Sequence, residues 1–221
     1  NDPHNKTYII YVKIPLVPEV TLQEIKTRIK INENSFEYSY DVTSLNHLNL
    51  IKTTESKGLV KGSLIKGEYF PNYYESNSIR GDQKRSIKFK YSDSQIKEVF
   101  INPPYSTENL THVTESMISE SIDPIMLFFK LTNYEYIKNC DSIFFVFDGK
   151  RRYDIILSNK STDSETLTCK LKQNKIGGYK QKKQNKYNDK LTDLIFKKNN
   201  KNKFVFHSVE FKDDFFNIII R

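Results

Sequence analysis

The run Ile143 to Leu157, IFFVF-DG-KRRYDIIL, constrains the fold more than any other stretch of the chain. A dense apolar segment meets Asp148-Gly149 and returns as a second strand-like segment. Asp-Gly between two such segments is the strongest short-range hairpin signal, because a type I′ turn needs positive φ at both central residues. Gly149 allows that freely and Asp148 tolerates it. A two-residue loop pairs Phe147 with Lys150. Phe147, Phe145 and Ile143 then share a face with Lys150, Arg152 and Asp154, while Val146 and Phe144 share the other with Arg151, Tyr153 and Leu157. Arg152 and Asp154, two apart on one face, are within reach of an ion pair. A second reading gives Arg151 or Arg152 to a ligand or partner, since an arginine fork is not replaced by an ammonium.

The rest of the chain repeats this strand rhythm. Residues 7–14 (TYIIYVKI) are β-branched and aromatic, as a first strand requires. Between Ile25 and Val42 the period is two: Ile25, Ile29 and Ile31 oppose Lys26, Arg28 and Lys30, and Asn32-Glu33-Asn34 turns the chain. Phe36, Tyr38, Tyr40 and Val42 then alternate with polar neighbours, which predicts a hairpin with one wet face. Gly58, Gly62 and Gly67 interrupt a strand-like run and point to bulges or bends in a coiled sheet. Ile87–Tyr91, Ile96–Ile101, Thr166–Lys172, Leu191–Lys198, Lys203–Phe211 and Phe215–Arg221 continue the pattern. Leu45–Ile51 is short enough for a helix, and Gly177–Lys190 reads as a basic loop. The prediction is a mainly β, single domain over residues 1–221. Its meander would hold about ten or eleven antiparallel strands, strongly curved or half-open as a barrel.

One helix stands out. Asp123-Pro124 reads as N-cap and first helical position. The following Ile125–Leu131 is apolar nearly all round, so a helix over 124–131 must be buried, against the sheet or in a barrel mouth. Phe128 and Phe129 on it are candidate ligand contacts.

Composition limits the chemistry. The net charge is +8, yet only six of 35 basic residues are arginine. An AT-rich compositional drift with solvated lysines explains the charge, as does attraction to an anionic surface. His4, His47, His112 and His207 are isolated, and no metal site is expected. No nucleophile–base set, phosphate loop or dinucleotide fingerprint occurs. The expectation is a non-enzyme without a cofactor. Nucleic-acid binding is disfavoured, because in Lys88-Phe89-Lys90-Tyr91 the aromatics point away from the lysines. Arg80-Gly81-Asp82 reads as a turn. No transmembrane segment is long enough in the sequence. Cys140 and Cys169 are either a disulfide or two buried thiols.

Residues 123–169 resemble the DUF3108 family, bacterial envelope proteins of unknown function. The resemblance rests on Asp123-Pro124 opening an apolar helix and on Cys140 shortly before the core Phe147-Asp148-Gly149-Lys150-Arg151-Arg152-Tyr153-Asp154. Cys169, some thirty residues on, completes it. Lys150 departs from the more frequent arginine. The resemblance implies export to the periplasm, a Cys140–Cys169 disulfide, and similarity to the half-open barrels of lipoprotein carriers such as LolA and LolB. The family brings no established activity; it is the excess of Phe and Tyr and the all-round apolar helix that motivate a carrier or binding module for a lipid or other amphiphile, with Phe128, Phe129, Arg151, Arg152 and Tyr153 as ligand or partner contacts. The alternative is an envelope protein holding peptidoglycan, polysaccharide or a partner protein through its basic hairpin ends.

Overall fold

The computed structural model describes residues 5–13, 19–45, 54–181, 191–212 and 217–221. Its first seven strands form an antiparallel meander: β1 (Asn5–Lys13), β2 (Val20–Asn32), β3 (Ser35–Ser44), β4 (Thr54–Ile65), β5 (Glu68–Arg80), β6 (Gln83–Ser92) and β7 (Gln95–Asn102). Three helices follow, α1 (Glu115–Ser119), α2 (Pro124–Leu131) and α3 (Tyr134–Ile137). A second meander runs through β8 (Ser142–Phe147), β9 (Arg152–Thr162), β10 (Thr166–Gly177), β11 (Leu191–Lys198), β12 (Phe204–Lys212) and β13 (Asn217–Ile220). β13 pairs with β1, Ile10 opposite Ile220, which joins the two meanders into one 13-stranded sheet.

The sheet does not close. Its edges are β7 and β8, and the helical segment links them. α2 nevertheless touches the neighbours β3 and β4 and also β8, which lies far from them in strand order, so the sheet curves around it. Across the open seam Phe147 of β8 stacks on Phe89 of β6, ring centroids 5.5 Å apart. Two glycines explain part of the curvature. Gly62 lies opposite Phe36 and Gly58 opposite Tyr40. A Cβ at Gly62 would meet the Phe70 carbonyl oxygen at 1.9 Å and the Phe36 ring at 2.6 Å. An aromatic ring thus covers each glycine from the neighbouring strand, while the missing side chain lets the next strand close in. Over Gly58 the Tyr40 hydroxyl bridges Ser56 (2.8 Å) and Ser76 (2.7 Å).

α2 divides the core. Leu127 and Leu131 pack with Val146, Leu157, Leu167, Leu194 and Phe196 of the second meander. Ile125, Met126 and Phe129 pack with Phe36, Tyr38, Val60, Tyr74 and Phe89 of the first. Met126 has no exposed surface, and burying a side chain of that size contributes about 2 kcal/mol. The helix starts where Asp123 accepts hydrogen bonds from the N–H groups of Ile125 (2.9 Å) and Met126 (2.8 Å). It ends at Thr132, whose hydroxyl donates back to the Phe128 carbonyl (2.9 Å). The Cys140–Cys169 disulfide ties the end of the helical segment to β10. Closing a loop with its sequence separation of 29 stabilises by about 3.5 kcal/mol on the chain-entropy model.

Three expectations change. There are 13 strands rather than ten or eleven, partly because the run holding Gly58, Gly62 and Gly67 is two strands. They part at Lys66-Gly67, both with positive φ. Two short helices, α1 and α3, accompany α2. The β8–β9 loop has four residues: Phe147 pairs with Arg152, not Lys150. Asp148 drives this, its carboxylate accepting from the N–H groups of Lys150 (2.8 Å) and Arg151 (2.6 Å). The two-residue shift leaves the side chains that stay in the strands on their expected faces, while Lys150 and Arg151 pass into the loop. The short helix read at Leu45–Ile51 and most of the basic loop to Lys190 lie outside the described residues.

Candidate functional site

The inward alternation of β1–β3 and β12, together with the last turn of α2, builds an aromatic cleft of about 650 Å³. β2 contributes Thr27, Ile29 and Ile31, β1 contributes Tyr8, β3 Tyr38, β5 Tyr69 and β12 Phe204 and Phe206. Phe129 forms the floor, its ring 5.1 Å from Tyr38 and 4.8 Å from Tyr69. Tyr8 stands edge-on to both Phe128 (5.1 Å) and Phe206 (5.4 Å). Tyr134 stacks on Phe204 at 5.2 Å. At the rim, Ile31 and Val205 are each 43% exposed. A few polar groups interrupt the apolar wall: Lys6, Asn133, Glu135, Asn202 and Lys203.

Burial pushes the Tyr8 and Tyr38 hydroxyls above their ordinary range, against hydrogen bonds to Thr27 and Thr132. Burial also lowers Lys6. Rings that stay protonated and hydroxyls already bonded to threonines present apolar edges to whatever enters.

The structure brings only one of the expected contacts, Phe129, into the cleft; Phe128 packs behind it on Tyr8. The hairpin residues lie elsewhere and do several different things. Arg152 is 5% exposed, forms an ion pair with Asp154, and donates through Nε to the Met117 carbonyl (3.3 Å). Its cation also lies 4.7 Å over the Phe145 ring. The Arg152–Asp154 pair anticipated from their spacing is therefore formed, and Arg152 fastens α1 to the hairpin. Tyr153 packs against the core of the second meander, where burial raises its hydroxyl. Asp148 shapes the loop, with Gly149 at φ 90° beside Ile87. Arg151 alone of the hairpin set is exposed, with a 3.8 Å contact to Asp148 and the Tyr179 ring at 5.6 Å. Arg80-Gly81-Asp82 forms the β5–β6 turn, as expected.

Ile29, Ile31, Tyr38, Tyr8, Phe204 and Phe206 were missed as site residues. Their alternation marked which side of each strand they occupy, but nothing local showed that β1–β3 and β12 face one helix end. Among the described residues, no three His, Cys, Asp or Glu side chains meet in a metal-holding group. No helix among them is long and apolar enough to cross a membrane.

No family model matches the chain. The resemblance to the DUF3108 family read from residues 123 to 169 therefore has no support from a family model. No curated protein matches either. Among solved structures, the crystal structure of a β-barrel-like protein of a domain of unknown function, DUF1849, from Brucella abortus is similar. The alignment covers 99% of this chain and 95% of that one, with a TM-score of 0.49 and 7% identity.

Proposed function

We propose that this protein is a non-enzymatic binding or carrier module of the bacterial envelope, taking the apolar chain of a lipid or other amphiphile. The observation that carries the reading is the aromatic cleft at the C-terminal turn of α2. Its volume of about 650 Å³ falls within the ~300–1,000 Å³ typical of small-ligand sites. Each methylene buried there contributes about 0.8 kcal/mol. Eight of them supply roughly 6 kcal/mol before the cost of ordering the chain. The polar residues at the rim suit a headgroup left in water. The Cys140–Cys169 disulfide supports export to an oxidising compartment such as the periplasm.

The test is native mass spectrometry of protein purified without detergent, with organic extraction of whatever it holds. The wild type is expected to carry amphiphile and Ile31→Asp to lose most of it, since a carboxylate would stand at the cleft's apolar rim. A bare wild type that also fails to take up a fluorescent fatty acid contradicts the proposal. The alternative, a protein holding polysaccharide, peptidoglycan or a partner through basic hairpin ends, draws support from the exposed Arg151. It draws none from Arg152, whose guanidinium is engaged inside the fold.

A further inference from the structure

Consecutive hairpins of a meander turn at alternate ends, so the β5–β6 and β8–β9 tips lie at the end of the barrel opposite the aromatic cleft. Between them is a second cleft of about 570 Å³, lined by Arg80, Lys84, Arg85, Lys150 and Arg151 with Asp82 and Asp148. Three of the six arginines in this lysine-rich chain meet here. The other three have partners on the protein: Arg28 donates to Asn5, Arg152 pairs with Asp154, and Arg221 pairs with Glu19.

Two of the cleft arginines are different. While Arg151 reaches Asp148 at 3.8 Å, the side chains of Arg80 and Arg85 make no hydrogen bond or ion pair with any described residue. The Nε of Arg85 is buried without a partner. The Arg85 guanidinium instead lies over the Tyr105 ring, 3.7 Å from its centroid, and Lys150 approaches the same ring at 5.1 Å. A ring face attracts the cation but satisfies none of its N–H donors as a hydrogen-bond acceptor would. Asp148 stands beside Arg151 and Asp82 also lines the cleft, so two carboxylates stand against five cations there. A half-buried guanidinium with a buried donor unmet is costly unless an acceptor arrives. Compositional drift toward lysine accounts for none of this placement.

We propose that this cleft binds a phosphate group, free or borne on a lipid headgroup. A tetrahedral phosphate, monoanionic in a diester headgroup and approaching a dianion when free, offers enough oxygens for the forks of Arg80, Arg85 and Arg151, while Lys84 and Lys150 add point charge. The site is independent of the aromatic cleft and does not rest on the amphiphile reading.

Titration calorimetry with inorganic phosphate, against chloride at equal ionic strength, tests the free form. Flotation with phosphatidylglycerol vesicles, against phosphatidylcholine, tests the headgroup. Binding in at least one arm is expected to weaken about tenfold in Arg85→Gln and in Arg80→Gln. Arg85→Lys should weaken it too, and Lys160→Gln, on the outer part of β9, should not. Arg80 sits at an exposed tip, so its variant serves if Arg85→Gln fails to fold. Wild-type protein that prefers neither phosphate nor anionic vesicles overturns the proposal. So does undiminished binding by Arg80→Gln and Arg85→Gln.

Discussion

Asp123 is fully buried, caps α2 and meets Tyr91: the Tyr91 hydroxyl donates to its carboxylate (2.8 Å) and accepts from its N–H (3.1 Å). Burial pushes its pKa up to about 6 in spite of these bonds. An unfolded aspartate titrates near ~3.9, so the folded state holds the extra proton between those values. The stability this contributes is complete below about pH 4 and is lost as pH rises through about 6, a change of roughly 3 kcal/mol. Asp123→Asn keeps the cap acceptor and removes the titration. The melting temperature of wild type relative to Asp123→Asn is therefore expected to fall by several degrees between pH 4.5 and pH 8. A difference that stays flat across that range contradicts the assignment. Asp123-Pro124 announced the cap in the sequence. Tyr91, on a strand 32 residues away, could not have been chosen as its partner from spacing alone.

At the scale of elements, β4 shows why a glycine in a strand has to be read with its neighbours. Gly62 has positive-φ freedom it does not use; what it supplies is space, since a Cβ would lie 1.9 Å from the Phe70 carbonyl oxygen. Gly67 is the converse, with φ at 84° and nothing within 4 Å. Gly62→Ala is expected to cost about 3 kcal/mol through overpacking, and Gly67→Ala about 1 kcal/mol through left-handed strain. Urea unfolding midpoints compare them; Gly67→Ala proving the more damaging would refute the account of the curved sheet. The alternation of Phe36, Tyr38 and Tyr40 was legible, and so was the face they occupy. The pairing of Phe36 with Gly62 was not, because it depends on the β3–β4 register. The Asp148-Gly149 turn carried a similar ambiguity. The hairpin was evident, but the Asp148 side chain competes for the backbone N–H groups and opens the loop by two residues.

Across the whole molecule, local signals identified an antiparallel, curved β fold around one buried helix. Each hairpin is a contact between sequence neighbours, which periodicity can reveal. The arrangement that creates the two clefts depends on longer links. β1 pairs with β13, and α2 crosses from one meander to the other, bringing Ile31, Phe129 and Phe204 to one end. Arg80, Arg85 and Arg151 meet at the other. Sparse arginine use singled out Arg151 and Arg152 in the hairpin, and nothing local showed that Arg80 and Arg85 would share a cleft with Arg151. The central claim is that an apolar chain enters beside the C-terminal turn of α2. Its most direct test is the nuclear magnetic resonance spectrum of isotopically labelled protein with a nitroxide-bearing stearate. The amides of Ile29, Ile31, Tyr38, Phe129 and Phe204 should broaden selectively while Arg80–Gln83 stay sharp. No broadening, or broadening confined to the arginine end of the barrel, would contradict it.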